Sequence, residues 1–455
     1  MNAEPCVVDL SGFDLRSPGP AFYENPYPWY AALREESPVR RMPDGSLLLT
    51  RYADCVAVYK DTHAFSSDKR AEYAPKYGVG SPLYEHHTTS LVFNDPPLHT
   101  RVRGLIAGAL TARAIESMEE GLTHLVAGLL DRMEERQHAG GEVDLIEDFA
   151  AAIPVEVIGN LLGVPREERG PLRHWSLAIL GALEPQPSAA QLDAGNRAVT
   201  EMVAYLRGLV QERRRHPGDP AHDVLTRLIQ GEEAPSTGSG QAPSTGSGQA
   251  PSAGSGQVPS TGSGQAPSAG SGQDRLSENE LCQNCIFILN AGHETTTNLI
   301  GNGLVALLEW PEEKQRLLDD PSLIRGAIEE FLRFESSNQL GNRIATVATS
   351  VGGIEVQPGT RITLCIGAAN RDPAVFAEPD RLDITRSPNR HLAFGSGTHQ
   401  CVGMNLARLE ARVAIAAFLA RFPDYRLCGP VVRGGRVRFR GYLKVPLSLG
   451  LPIES

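Results

Sequence analysis

The sequence predicts a mainly α protein with small β-sheets (α+β), one domain organised around a long buried helix. Three observations carry this. Helical spacing or an N-terminal proline marks much of the chain, at 28–36, 97–118, 146–162, 194–215, 322–334 and 404–422. Strand-like runs are short, at 47–50, 343–349, 354–356 and 361–365, with Gly352-Gly353 suited to a hairpin turn between two of them. The stretch 277–310 reads as one helix, opened by a capping box of Ser277 and Glu280. At its length that helix would run about 50 Å, apolar on most sides, and must pass through the middle of a domain.

Composition narrows the class. The chain has 455 residues, 41% of them hydrophobic, enough for a large core. A formal net charge of -11 argues against nonspecific nucleic-acid binding, which needs basic surface to displace phosphate counterions. Seven cysteines (Cys6, Cys55, Cys282, Cys285, Cys365, Cys401 and Cys428) show no disulfide-framework rhythm, which points to a reducing compartment. The first residues lack a basic n-region and an apolar run of signal length, so a cytoplasmic protein is expected. The most apolar later window, 281–308, contains Asn284, Asn290, His293, Glu294, Asn298 and Asn302. A lipid-facing helix would not carry that load, so no membrane span is expected.

The segment 234–273 is five copies of an eight-residue unit of the form APSTGSGQ, with no charge, no aromatic residue and one large apolar residue, Val258. Such a segment cannot bury enough surface to offset its ordering entropy. It is expected to act as a flexible linker-like loop with an end-to-end distance of roughly 35 Å. The helical readings at 223–230 and 277–310 on either side make it a loop insertion in a single domain rather than a boundary. A partner-binding repeat is the alternative.

The chemistry concentrates in Phe394-Gly395-Ser396-Gly397-Thr398-His399-Gln400-Cys401-Val402-Gly403, which leads into a helix. A thiolate metal ligand must stay deprotonated, so amide N–H groups and a helix N-terminus should face it. A backbone passing close to a flat macrocycle needs residues without Cβ, and Gly395, Gly397 and Gly403 supply them. This F-G-x-G-x-H-x-C-x-G run resembles the heme-binding signature of the cytochrome P450 family. The resemblance extends from about residue 26 to 447, apart from the repeat, and implies the cytochrome P450 fold, with the long central helix over the heme. It further implies heme b, iron protoporphyrin IX, held by Cys401 as the metal ligand. A thiolate there favours O–O cleavage of bound O2.

Further elements fit the same family. Glu330 and Arg333 form E-x-x-R on one helix face and resemble the family's structural ion pair. The segment 369–386 resembles its meander, with Arg386 as the third member. Ala291-Gly292-His293-Glu294-Thr295-Thr296 resembles its oxygen-activation motif. Small residues there leave room for O2, and Gly292 weakens the helical ladder so that a local bulge can open. Thr295 would hydrogen-bond the oxygen ligand, and Glu294 would relay protons. His99, Arg103, Arg343 and His399 match family positions for the heme propionates, an arginine fork suiting a carboxylate. Arg101 is expected to face solvent. Cys282-x-x-Cys285 has no second pair to complete a zinc site and is read as two buried cysteines on one helix face.

The implied activity is that of a monooxygenase in secondary metabolism, inserting one oxygen atom from O2 into a small organic substrate by hydroxylation or epoxidation. No flavin or iron–sulfur motif occurs in the chain, so ferredoxin and ferredoxin reductase are the expected electron donors. Arg408 and Arg412 are candidates for the docking face. Coupling, cyclisation, peroxide-driven oxidation and a non-catalytic heme sensor are the alternatives. The segments 66–91, 177–183 and 336–340 are expected to line the substrate pocket. Lys69, Arg70, Lys76, His86 and His87, with Tyr73, Tyr77 and Tyr84, suggest some polar or anionic character in the substrate. A hydrophobic natural product, free or bound to a carrier protein, is the family-level expectation.

Overall fold

The computed structural model describes residues 8–220, 223–230 and 276–450. The octapeptide repeat and Cys6 lie outside them. The fold is mainly helical with small sheets. Its axis is the helix Glu278–Glu309, which begins on the capping box: Ser277 Oγ accepts from Glu280 N at 3.2 Å, and Glu280 Oε2 accepts from Ser277 N at 2.8 Å. Leu281, Ile286, Leu289, Leu299, Ile300, Leu304 and Leu307 bury this helix in the principal core. It packs against Ala152–Leu162, Gly170–Gly181, Ala189–Arg215, Ile324–Phe334 and Met404–Arg421. Among the described residues no helix is long and apolar enough to cross a membrane.

Several expected elements divide, each for a local reason. The stretch 97–118 becomes Leu98–Ala109 and Ala112–Glu116, because Thr111 turns extended and its hydroxyl caps the second helix through Ala114 N. The stretch 146–162 opens as a π-turn over Ile146–Ala150 before the α-helix Ala152–Leu162. The expected strand 343–349 is two strands, Leu340–Ala345 and Thr349–Val351; between them Thr346 bonds to the carbonyls of Ala64 and His63. Gly352 and Gly353, both at positive φ (56° and 83°), make the expected tight hairpin to Ile354–Val356.

The main sheet has five strands in the order Val39–Arg41, Leu47–Leu49, Arg361–Cys365, Leu340–Ala345 and Phe65–Ser66. Only the pairing of Leu47–Leu49 with Arg361–Cys365 is parallel. Leu47, Leu49, Ile362 and Leu364 anchor a second core between this sheet and the helix Tyr52–Lys60. Arg343 and the Cys401 loop both meet Tyr59: the Arg343 guanidinium is 5.1 Å from the ring centroid, and Gly397 abuts the Tyr59 backbone.

Candidate active site

The Cys401 loop is built by short-range backbone bonds. Gly395 N donates to Leu392 O (2.8 Å), Gln400 N to Gly397 O (3.0 Å) and Cys401 N to Phe394 O (2.9 Å). Gly395 and Gly397 lie at φ 67° and 70°, where a side chain is disfavoured. A Cβ at Gly397 would stand 2.5 Å from Tyr59 O. Gly403 differs: its φ is -88°, and no protein atom lies within 4 Å of its Cβ position. The loop ends at the helix Met404–Arg421. Burial pushes the Cys401 thiol up, opposed by the Gly403 N–H and by Arg103 and Arg408. Cys401 is accessible, although protein surrounds it closely enough for burial to dominate its ionisation.

The scaffold behind this loop is a buried carboxylate. Glu330 accepts from Arg333 Nε (2.8 Å) and Nη2 (2.7 Å), from Arg386 Nε (3.2 Å to each oxygen), from Asn389 Nδ2 (3.0 Å) and from Asp383 N (2.9 Å). Arg333 also donates to the carbonyls of Asn370, Pro379 and Arg381. Both members of the Glu330–Arg333 pair are wholly buried. Asn370 carries the network to the cysteine loop, its Oδ1 accepting from Leu392 N at 2.6 Å. The structure thus brings Glu330, Arg333 and Arg386 together, and adds Asn370 and Asn389, which no spacing rule marks.

Four groups near the loop are suited to carboxylates. Arg343 is buried, and among the described residues its guanidinium donates only to its neighbour's carbonyl, Asn342 O, at 2.8 Å. Arg103 is half-buried and feels Cys401 electrostatically. His99 is buried with both ring nitrogens unpartnered among the described residues. Its ring lies 4.0 Å from that of His399. Burial, then Arg343, His99 and Arg103, holds His399 neutral with its pKa down to about 3, and burial and Arg103 depress His99. The two arginines therefore supply charge and the two histidines N–H donors. Arg101 does not face open solvent: it is half-buried and paired with Glu280 on the central helix.

On the central helix, Ala291 is exposed and Phe287, Ile288, Gly292 and Thr295 are half-exposed, whereas His293, Glu294 and the residues from Thr296 to Leu307 are buried. Ala291 and Thr295 mark the face that opens onto space. Thr295 Oγ1 donates to Ala291 O (2.6 Å), and Ser337 Oγ donates to Thr295 O (2.8 Å). Glu294 is buried and its Oε1 accepts from Arg436 Nη1 at 2.6 Å. Burial raises its pKa, with Arg436 opposing. Gly292 serves packing: a Cβ there would meet Ile158 Cδ1 at 2.5 Å, so its small size admits the helix Ala152–Leu162. The expected bulge at Gly292 is absent, because the helix is α throughout and the π-turn lies in its neighbour instead.

Most polar groups of 66–91 already have protein partners. Lys69 pairs with Glu72 (3.2 Å), Arg70 with Asp68, and His86 with Gln283 (3.0 Å). Lys76 Nζ donates to Glu184 O (2.7 Å) and sits 5.1 Å from the Tyr77 ring centroid; His87 is buried among Tyr73, Tyr77 and Phe93. The polar composition of this segment is therefore mostly internal structure. Arg408 likewise pairs with Glu329 (2.7 Å) and Arg412 with Glu119 (2.9 Å). Cys282 and Cys285 are both buried thiols.

The site fits heme on its own residues. An accessible thiol at a helix start, two arginines and two orphaned imidazole nitrogens near it, and an open stripe on the packed central helix are what an iron ligand, two propionates and a distal face require.

Comparison with known proteins agrees. The Cytochrome P450 family model matches residues 263–423. The chain is 36% identical over 443 residues to the vitamin D(3) 25-hydroxylase of Pseudonocardia autotrophica, covering 94% of this chain and 95% of that one. It is 34% identical over 412 residues to the biotin biosynthesis cytochrome P450 of Bacillus subtilis (strain 168), covering 89% and 91%. It superposes with a TM-score of 0.80 and 32% identity on P450BioI in complex with hexadec-9Z-enoic acid ligated acyl carrier protein, covering 94% of this chain and 100% of that one. The chain belongs to the cytochrome P450 family and is a heme b monooxygenase.

Proposed function

We propose that this enzyme inserts one oxygen atom into a hydrophobic natural product, free or presented on a carrier protein, with Cys401 as the residue that would hold the heme iron. The observation that carries the site assignment is the accessible Cys401 thiol, whose residue is anchored by its backbone N–H on the Phe394 carbonyl and whose sulfur meets the Gly403 N–H at the start of a helix that packs on the central one. Bound heme supplies O2 activation and oxygen transfer. Arg103 and Arg343 would hold its propionates, with N–H donation from His99 and His399. Phe394, Gly395 and Gly403 shape the loop that receives its face.

On the central helix Ala291 leaves room at the open face, and Thr295 Oγ1 is the hydroxyl that would hand on a proton there. Glu294 is the carboxylate that reloads it. Gly292 contributes through the close approach of the neighbouring helix. An intact Glu294–Thr295 pair argues against a peroxide-only enzyme. Glu330, Arg333 and Arg386 hold the fold and do not react. Electrons come from a ferredoxin and its reductase, and the repeat 234–273 is a loop insertion in one domain.

The internal pairing of the polar groups in 66–91 supports a mainly apolar substrate. So do the names of two relatives, one a vitamin D(3) hydroxylase and one solved with an acyl chain on its carrier. The test of the thiolate is the carbon-monoxide difference spectrum of reduced protein, wild type beside Cys401→Ala. A strongly red-shifted band, lost in the variant, is expected; a histidine-type band overturns the assignment. Titration of the ferric enzyme with hexadec-9Z-enoic acid, free and carrier-bound, tests the substrate class. A high-spin shift is expected, and its absence with both forms refutes the acyl-chain member of that class.

A further inference from the structure

The ion pair of Glu294 brings in a residue from far along the chain. Arg436 lies in the loop between the short strands Val432–Arg433 and Tyr442–Lys444. Its Nη1 is 2.6 Å from Glu294 Oε1, with side chains 15% and 9% exposed. The loop is tied down on both sides of this contact. Glu184, in the connection after the helix Gly170–Gly181, accepts from Val437 N (2.8 Å) and Arg438 N (3.3 Å). Arg438 Nη1 reaches Leu340 O (3.1 Å) on the main sheet. Arg440 pairs with Glu335 and donates to Tyr23 O (2.9 Å) and Glu24 O (2.8 Å).

The other oxygen, Glu294 Oε2, is buried without a partner among the described residues, as are the Asn290 amide one turn earlier and both ring nitrogens of His293. Unpartnered buried polar atoms are costly, and several of them on one helical turn is the setting in which proteins hold internal water.

We propose that Arg436 is a positioning residue for proton delivery: it fixes Glu294 through Oε1, leaving Oε2 to exchange protons with water held at Asn290 and His293. The loop that carries Arg436 is fastened by Glu184 next to the pocket-lining segment 177–183, so the seating of substrate and the placement of the carboxylate share one tether. This rests on the assignment of Glu294 as proton carrier.

The electrostatics give Arg436 a task. Burial favours the neutral acid, Arg436 opposes it, Glu184 adds to burial, and Arg173 lies close enough to favour the anion weakly. His293 on the same turn is itself held neutral by burial, at about 3, and so offers no cation. Without Arg436 burial and Glu184 act with less opposition, and the carboxyl holds its proton more tightly than a relay requires.

The experiment uses the heme-loaded protein as Arg436→Met, Arg436→Lys, Glu294→Gln and the double variant Arg436→Met/Glu294→Gln, each checked for an intact carbon-monoxide spectrum. Two readouts are taken. One is the infrared titration of the Glu294 carboxyl, isolated by subtracting Glu294→Gln. The other is the solvent deuterium isotope effect on NADPH oxidation with O2 and a surrogate ferredoxin and reductase. Arg436→Met is expected to raise the proton affinity of Glu294 by about ten-fold or more and to enlarge the isotope effect. Arg436→Lys restores most of both, and the double variant behaves as Glu294→Gln alone. Unchanged titration in Arg436→Met, or additive effects in the double variant, overturns the proposal. If Glu294→Gln itself leaves the isotope effect unchanged, the carrier assignment fails and the role of Arg436 falls with it.

Discussion

Glu410 lies on the helix that follows Cys401, 2% exposed, with Oε2 unpartnered among the described residues. Burial alone pushes its pKa from the ordinary 4.5 up to about 8. The folded state therefore binds a proton that the unfolded chain releases between those two values. Over that window the unfolded state holds fewer protons, so stability falls as pH rises. The largest slope is about 1.4 kcal/mol per pH unit, and the accumulated loss at pH 7 is about 3 kcal/mol. Glu410→Gln keeps the shape of the neutral acid and removes the titration. It should match wild type near pH 4 to 5 and exceed it at pH 7 by about 3 kcal/mol. For a chain of this size that is about 4 °C in unfolding midpoint. The assay is the unfolding midpoint of heme-loaded wild type and variant at matched pH from 5 to 8. A difference between them that does not grow across this range refutes the reasoning and means that Glu410 has found a partner or water in solution.

Two further outcomes follow from packing and pairing. Glu330→Gln strips the charge from a buried carboxylate that four side-chain and backbone groups share. It should lower stability by about 3–5 kcal/mol in urea unfolding and weaken heme retention, since an uncompensated buried arginine remains. Gly292→Ala should destabilise the wild type through its 2.5 Å approach to Ile158 Cδ1. In an Ile158→Val background the same change should stabilise by up to about 1 kcal/mol, the helix-propensity gain; equal effects in both backgrounds would refute the packing explanation.

What the sequence made legible was what local chemistry dictates. The capping box starts the central helix where Ser277 and Glu280 stand, because its two hydrogen bonds are made between residues three apart. The Gly352-Gly353 turn and the glycines of the cysteine loop follow from backbone freedom at single positions. Glu330 and Arg333 meet because a helix puts them on one face. What stayed hidden depends on contacts across long separations. Arg436 reaches Glu294 from 142 residues away, and Asn389 reaches Glu330 from 59. Arg101 is drawn from solvent by Glu280, a partner no spacing rule supplies. The lysines and histidines of 66–91 suggested polar character in the substrate because a sequence does not show that Gln283 and Glu184 stand beside His86 and Lys76. Gly292 was read for its effect on its own helix, whereas its demand comes from Ile158 on another.

The three glycines of the cysteine loop separate demands made by the protein from demands made by the cofactor. Gly397 has φ 70° and would place a Cβ 2.5 Å from the backbone oxygen of Tyr59, which cannot yield without moving a helix. Gly395 has φ 67° with its nearest obstacle at 3.8 Å, so only backbone strain opposes a side chain there. Gly403 has an ordinary negative φ and an open Cβ position. If the protein alone set the requirement, alanine would cost most at Gly397, about 1–2 kcal/mol at Gly395 from the left-handed conformation, and little at Gly403. If Gly403 instead lets the backbone approach a macrocycle, Gly403→Ala should leave the unfolding midpoint of heme-free protein unchanged while lowering heme affinity. Gly397→Ala should lower both. Heme titration of each variant, with unfolding of the heme-free forms alongside, distinguishes the cases. Full heme affinity in Gly403→Ala would refute the close-approach reading of that glycine and leave Gly395 and Gly397 as the two glycines the loop requires.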